Sequence, residues 1–519
     1  MYKKIAKTFL SHFPSSKQRW LLYSKIAIPI IFSGIIVSLN GFIDNFMVTD
    51  IEGGVSALSF ANGYSAIIGG LLISINIVGT SIFGQYRGSA KKEETIQVVR
   101  ARYILSFALS IMFFTIIMSA PAFFMSSVAK GDPNDISYQT VVKLGTDYIK
   151  IIAFSWLITG INFSTISILR ETGNGGVSFF VSLASLLSNV VFNLILIPRY
   201  GVVGSAWATI ISGIVSIILS LIFIRLKIRK YLINPFKIFK VSKEIWIQFF
   251  KRMPSFLLSS TNFVFVAVRV FLWAAAFPIG SLGAHYSTQY YKHWGLSSGD
   301  VLGITASLTN IFTAAFGVVG SNIALFVGQK LGNDEFELAE KNAKELKGFH
   351  VVLASVLSSI FGFVIIFIPY MSFLSNGIQE NVQNNLRAEG ITDATIIAKE
   401  KALASYYYLK EVQLTSISIA VFNPTWIFFA TSVRILETGG RNNVTGIVVF
   451  VTGVLQMAWL ALISYLMVPN TLNSLKYPVG FFYFIFYLSD LVKMFVIEIL
   501  YIKLDWLRNI TKVYNNKKS

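Results

Sequence analysis

Two five-residue stretches, Gly84-Gln85-Tyr86-Arg87-Gly88 and Gly328-Gln329-Lys330-Leu331-Gly332, set the frame for the whole chain. Each closes a long apolar run, 56–83 before the first and 303–327 before the second. Each is followed by a polar stretch, Ser-Ala-Lys-Lys-Glu-Glu or Asn-Asp-Glu-Phe-Glu. A glycine at such a place can take the left-handed conformation that closes a helix, so GQxxG reads twice as a helix exit. A second pair follows in the same order: Leu169-Arg170-Glu171-Thr172-Gly173 and Leu436-Glu437-Thr438-Gly439. Pro29 and Pro254 sit near the start of corresponding runs. Glycine at one helix end is commonplace, but three matched pairs in one order indicate an internal duplication.

The surroundings of these motifs place them in a membrane. The chain is 54% hydrophobic and 13% charged, with mean hydropathy +0.64 and 45 Phe; a soluble chain carries about 25% charge. Apolar runs of about twenty residues recur, each long enough to cross a hydrocarbon core of about 30 Å. A span in lipid must satisfy its own backbone, and no short alternating strands suit a barrel, so the runs read as α-helices. The expected spans are 26–49, 56–83, 102–125, 148–169, 177–197, 202–224, 254–278, 303–327, 349–374, 409–433, 444–467 and 479–503. The expected fold is therefore an all-α polytopic membrane protein, with twelve transmembrane helices in two six-helix bundles related by pseudo-twofold symmetry. The basic loop at about 225–253 separates the halves, as domains 1–238 and 239–519. Parallel six-plus-six repeats are a transporter architecture with the substrate path between halves.

Charge sets the expected orientation. Of 44 Lys and Arg, about 32 fall on the side of the termini, which predicts both termini cytoplasmic. The net charge of +19 is absorbed by this bias, and no nucleic-acid partner is expected. The first 25 residues are basic (Lys3, Lys4, Lys7, Lys17, Arg19, Lys25) and lack the apolar core of a cleavable signal, so the first span is expected to direct insertion. Zero cysteines exclude disulfide and thiol chemistry. No GxxxxGK[ST] is present, which excludes ATP hydrolysis by that route. His12, His285, His293 and His350 form no metal pattern, and no catalytic triad or paired-carboxylate arrangement points to an enzyme. Two long loops are expected outside, 279–302 and the polar 375–408.

The residues also resemble a known family, the multidrug and toxic compound extrusion (MATE) transporters, within a superfamily that includes lipid-linked oligosaccharide flippases. Ile28-Pro29, followed by Phe42-Ile43-Asp44-Asn45-Phe46-Met47-Val48, is similar to the family's first helix. Asn189-Val190-Val191-Phe192-Asn193, running on through Gly201-Val202-Val203-Gly204-Ser205-Ala206-Trp207-Ala208-Thr209, resembles its fifth-to-sixth helix signature. The resemblance implies two bundles forming a V and cation-coupled antiport of amphipathic, often cationic, small molecules. It implies a bacterial plasma-membrane protein that works as a monomer, needs no cofactor, and is driven by H⁺ or Na⁺.

Asp44 lies within span one, and an intramembrane acid is a functional candidate by default, here for exchanging protons or binding a cation. Asn189 and Asn193 are one turn apart and share a helix face. The resemblance implies a polar coupling cluster of Asp44, Asn189, Asn193 and Thr209. Relatives that use this cluster carry Asp where Asn193 stands, so one negative charge remains and single-proton exchange is the simpler scheme. The pair can equally serve as interhelical packing hydrogen bonds. In the second half, Asn262 occupies the place of a glutamate found in some relatives, and Ala420-Val421-Phe422-Asn423-Pro424-Thr425-Trp426 lacks their tenth-helix acid. Arg269 instead lies fifteen residues after Pro254, the offset of Asp44 from Pro29. Asp490 and Lys493, on one face of span twelve, are its candidate neighbours, with Glu498 farther along. Arg269 could form a salt bridge with Asp490, or with Lys493 give the cavity a positive wall suited to an anionic or zwitterionic substrate. The expected substrate cavity comprises Asn40, Asn262, Arg269, Asp490 and Lys493, and Pro424 is the expected hinge.

Overall fold

The computed structural model describes residues 12–48, 51, 54–128, 136–286, 289–313 and 316–512, and these are helical throughout, joined by short turns. The basic residues Lys3, Lys4 and Lys7 and the chain beyond 512 lie outside the described residues. The first half runs α1 (Lys17–Met47), α2 (Gly54–Gly88), α3 (Lys92–Ser119), a short α4 (Pro121–Val128), α5 (Ile136–Glu171), α6 (Gly175–Tyr200) and α7 (Val202–Lys227). A linker carrying α8 (Lys243–Phe250) leads to α9 (Met253–Ala276), α10 (Ser298–Phe312) and α11 (Phe316–Ile323). α11 passes through a π turn, Ala324–Gly328, into α12 (Gln329–Gly332). Then come α13 (Phe336–Phe367), α14 (Asn376–Ala388), α15 (Ala394–Thr438) and α16 (Asn442–Leu462). A second π turn, Ile463–Met467, leads into α17 (Val468–Thr471), and α18 (Pro478–Tyr487) and α19 (Ser489–Lys503) complete the chain.

Local chemistry explains the boundaries. The Ser16 side chain accepts from the Arg19 amide at the start of α1, and Asp393 caps α15 by accepting from Thr395. A capping box formed by Ser297 and Asp300 opens α10. Pro254 sits in the first turn of α9, where its missing N–H costs nothing. Pro29, Pro198 and Pro424 lie inside helices, and α15 continues through Pro424 without a break.

Among the described residues, nine helices are long and apolar enough to cross a membrane. The other expected spans, 254–278, 303–327 and 479–503, also fall on helix, but the last two are interrupted. One is described as two segments, α10 and α11, of which α11 winds through the π turn, and the other breaks at Leu488 between α18 and α19. Apolar side chains such as Leu194, Val270, Phe363 and Phe495 stay exposed on helix exteriors, as lipid-facing positions require.

The polar segment expected as an outside loop over 375–408 is mostly helix. α15 has 45 residues, about 68 Å at 1.5 Å per residue, roughly twice a hydrocarbon core. Its first turns and α14 form a helical pair beyond the spans. They are held to the 279–302 segment by Trp294 Nε1 donating to Glu400 (2.8 Å) and Asn385 Nδ2 donating to the His293 carbonyl (3.0 Å). Ile378, Val382 and Leu386 bury one face of α14 here, so an amphipathic repeat hidden in a polar stretch produces the helix.

Helices of the first half pack chiefly on each other (α6 on α7, α2 on α5, α5 on α7, α1 on α6) and those of the second half likewise (α13 on α15, α9 on α16, α15 on α18). The halves meet where α1 touches α10 and α11, and where α2 touches α9 and α12.

Candidate functional site

The hairpin of α6 and α7 builds the first polar cluster. Gly201 takes φ +59°, which reverses the chain between the two helices. A Cβ at Gly204 would stand 2.4 Å from the Leu196 carbonyl oxygen, so only glycine lets α7 start this close to α6. The tight hairpin brings Thr209 and Ser205 of α7 beside Asn189 and Asn193 of α6, and α1 lays Asp44 across them.

Asp44 is 7% exposed. Its Oδ1 accepts from Asn193 Nδ2 at 2.7 Å, and its Oδ2 accepts from the Thr209 hydroxyl at 3.3 Å. The Asn193 amide also donates to Asn189 Oδ1 (3.1 Å), and Asn189 Nδ2 donates to the Thr209 hydroxyl (3.5 Å). The four residues thus close a ring, with Asn189 and Asn193 fully buried. Tyr148 of α5, also buried, lies near enough to feel the Asp44 charge while its hydroxyl donates to Asn62 Oδ1 (3.3 Å). Among the described residues Asp44 has no Lys or Arg within ion-pairing distance; neutral donors alone hold it. Asn193 Oδ1 and, one turn before Asp44, Asn40 Oδ1 are buried acceptors without a donor.

In the second half, among the described residues, the salt bridge that was one alternative for Arg269 and Asp490 does not form. The Asp490 carboxylate is 5% exposed and taken by neutral donors: Trp426 Nε1 to Oδ2 (2.8 Å) and Gln456 Nε2 to Oδ1 (3.0 Å). Arg269 and Lys493 nevertheless lie within electrostatic reach of each other and of Asp490, and Arg269 also lies within reach of Tyr483 and Tyr487. Lys493 Nζ stands 5.3 Å from the centre of the Phe429 ring. Glu498 belongs elsewhere, paired with Lys347 and accepting from the Ser432 hydroxyl (2.5 Å). The side chain of Asn262, on α9, lies outside the described residues.

Three features escaped the sequence. Glu411 is fully buried in α15, where it accepts from the Tyr407 hydroxyl (2.8 Å) and from the backbone N–H groups of Val479 (3.3 Å) and Gly480 (2.8 Å), capping α18. Arg102 and Glu171, both buried, form a two-pronged pair (2.7 and 3.0 Å) that Thr80 joins at 2.5 Å. Acids and bases flanked by apolar residues were the available signal. Of their partners only Tyr407, one helical turn before Glu411, is near in sequence; Val479 and Gly480, and the Arg102–Glu171 pair, are brought together by the fold.

The third is how the duplicated motifs meet. On the face carrying both described chain ends, the two GQxxG stretches pack against one another. A Cβ on Gly88 would stand 2.0 Å from the Gln329 carbonyl oxygen, and one on Gly332 1.9 Å from that of Gln85. Gln85 is fully buried and reaches across the halves. Its Nε2 donates to the carbonyls of Thr438 (2.6 Å) and Arg508 (2.9 Å), and its Oε1 accepts from the Ile510 amide (2.7 Å). Arg19 of α1 pairs with Glu345 and Asn342 of α13. This seam closes the terminal face.

Comparison with known proteins agrees with this architecture. The MatE family model matches residues 29–195. "Probable multidrug resistance protein YoeA" of Bacillus subtilis is 22% identical over 331 residues, 61% of this chain and 66% of that protein, so the aligned part falls just short of two thirds of the relative. A crystal structure of MATE in complex with MaL6 superposes with TM-score 0.69 at 16% identity, covering 93% of this chain and 96% of that one. A MOP superfamily transporter from Pyrococcus furiosus, described as having a binding pocket of reversed polarity, superposes with TM-score 0.68 at 16% identity over 93% and 97% of the two chains. The chain thus shares its fold almost end to end with solved MATE transporters, and residues 29–195 match the MatE family model.

Proposed function

We propose that the chain is a secondary active antiporter of the plasma membrane, exporting amphipathic small molecules in exchange for H⁺ or Na⁺. In this reading twelve spans form two six-helix bundles, both termini are cytoplasmic, and the seam of GQxxG motifs is the inner gate in its closed position. One observation carries it: a buried carboxylate, Asp44, ringed by neutral donors and, among the described residues, without a counter-cation. Burying an unpaired charge is costly, and an entering proton or Na⁺ is what neutralises it. Asn189, Asn193 and Thr209 supply further oxygens toward such a cation. Neutralising Asp44 weakens its hold on Asn193 and Thr209, which loosens α1 from α6 and α7 and favours rearrangement of the first bundle. Pro424 is the proposed flexing point of α15. The test is uptake of a panel of fluorescent amphipathic cations into proteoliposomes under imposed pH or Na⁺ gradients. Uptake that follows a gradient supports antiport; uptake indifferent to both gradients overturns it.

A second reading is a flippase for a lipid-linked or anionic lipid-like substrate. Arg269 and Lys493 share one carboxylate neighbour, Asp490, whose oxygens are already occupied, so the cavity side of the second bundle carries excess positive charge. The likeness to a transporter with a pocket of reversed polarity supports it. Arg269→Gln would then slow transport of an acidic lipid probe and spare that of cationic dyes, with unfolding temperature unchanged.

A further inference from the structure

The linker between the halves carries features that transport does not use. From Arg225 to Arg252 it has nine basic residues and one acid, Glu244. Arg225, Lys227, Arg229, Lys230, Lys237, Lys240 and Lys243 are exposed. Among them stand two phenylalanines that are nearly bare, Phe236 at 97% and Phe239 at 83% exposure. Exposed apolar residues on the spans are accounted for by lipid tails; these two sit in a polar loop. The loop is also fixed in shape. Tyr231 is buried against Phe83 of α2, and Asn234 Oδ1 accepts from the Phe236 amide (3.0 Å) in a Pro235–Lys237 turn. Arg100 of α3 donates to the Lys240 carbonyl (2.9 Å), and the Ser242 amide donates to Gln97 Oε1 (2.8 Å). The two phenylalanines are therefore held outward by the packing of their neighbours. Immediately after them in sequence, the chain forms an open surface groove of about 590 Å³ lined by Val241, Lys243, Trp246, Ile247 and Phe250.

We propose that this linker is a binding site for an anionic phospholipid of the surrounding bilayer. The groove takes an acyl chain, Phe236 and Phe239 enter the interfacial layer, and Lys237, Lys240 and Lys243 meet the headgroup phosphate. Charge selects the occupant: a cluster of cations on a membrane-adjacent surface attracts anionic lipid, and aromatic side chains interleaved with it favour the interface over free solution. A free phosphate would leave the groove and both phenylalanines unused.

The test is native mass spectrometry of the full chain in detergent, titrated with dioleoyl phosphatidylglycerol, dioleoyl phosphatidylcholine or inorganic phosphate. The wild type is expected to retain phosphatidylglycerol in preference to the other two. Lys237→Gln/Lys240→Gln/Lys243→Gln should weaken that binding about a hundredfold, at about fivefold per lysine, and Phe236→Ser/Phe239→Ser should weaken both lipids. All five side chains are exposed, and unchanged unfolding temperatures would confirm intact variants. Should a variant unfold, quenching by brominated phosphatidylglycerol decides instead, since the wild type should lose a component that Trp246→Phe lacks. Equal retention of the two lipids, undiminished binding by the lysine variant, the same quenching in Trp246→Phe, or a dimer formed through this face would each overturn the proposal.

Discussion

Replacing Asp44 with asparagine separates charge from shape. The carboxylate accepts one hydrogen bond from Asn193 and one from Thr209, and hydrogen bonds to a charged group are worth about 1.5–3 kcal/mol against about 0.5–1.5 for neutral ones. In Asp44→Asn the carbonyl can still accept from Asn193, and the Thr209 hydroxyl can turn to accept from the new amide. The loss is therefore about 1–3 kcal/mol of hydrogen bonding, offset by no longer burying an uncompensated charge. Net stability should change by less than about 1.5 kcal/mol. Asp44→Ala instead strands two buried donors, at about 1–3 kcal/mol each, and should lower the unfolding temperature clearly. The assay pairs unfolding in detergent with gradient-driven uptake in proteoliposomes. Asp44→Asn is expected to fold like the wild type and lose at least 90% of gradient-driven uptake, since one tenfold step is about 1.4 kcal/mol and the coupling group itself is gone. Full gradient-driven uptake by a folded Asp44→Asn protein would refute the coupling argument.

Other expectations follow from packing. Gly332→Ala should open the terminal seam, because its Cβ would lie 1.9 Å from the Gln85 carbonyl oxygen; spin labels at Lys92 and Glu337, introduced as cysteines on a cysteine-free background, should move apart. Glu171→Gln should cost about 3–5 kcal/mol by leaving Arg102 buried and unpaired, while Arg102→Met/Glu171→Met should recover most of it, as read from denaturation in detergent. On the terminal face, hydrogen bonds from Lys512 and then Asn509 hold the Asp334 carboxyl below the usual carboxylate range. A lowered folded-state value means the contact is fully present above about pH 4 and is lost as pH falls through that lower value. A spin label at Arg508 should accordingly gain mobility on acidification below about pH 4, and Asp334→Asn should remove that dependence.

The positions of most apolar spans, and the pairing of Asn189 with Asn193 on one face, were readable because hydropathy and the helical period are local properties of the chain; the helices within the polar stretch 375–408 were not. A burial-averse residue such as Asp44 is conspicuous in an apolar run for the same reason. Partnerships were less legible. Arg269 and Asp490 are opposite charges on the expected seventh and twelfth spans, and a salt bridge between them was one of the two expectations. Trp426 and Gln456 reach the carboxylate first, from helices whose rotation about their axes no local pattern specifies. Glu498 is drawn off by Lys347, which the sequence presents only as one more basic residue after a span. Glu411 was hidden because two of its three partners are the backbone amides of Val479 and Gly480, which carry no sequence signal at all.

The sequence alone therefore determined that this is a helical membrane chain carrying GQxxG twice, where most of its apolar spans run, and that one acid in the first half lacks a second acid beside it. Tertiary structure alone decided what that acid touches, and that the two copies of GQxxG, each a helix end, are also each other's packing partners. The reason is physical. A motif closes its own helix through bonds to residues three or four positions away, but the room for it, down to a missing Cβ at Gly88 and Gly332, is set by a helix more than two hundred residues distant.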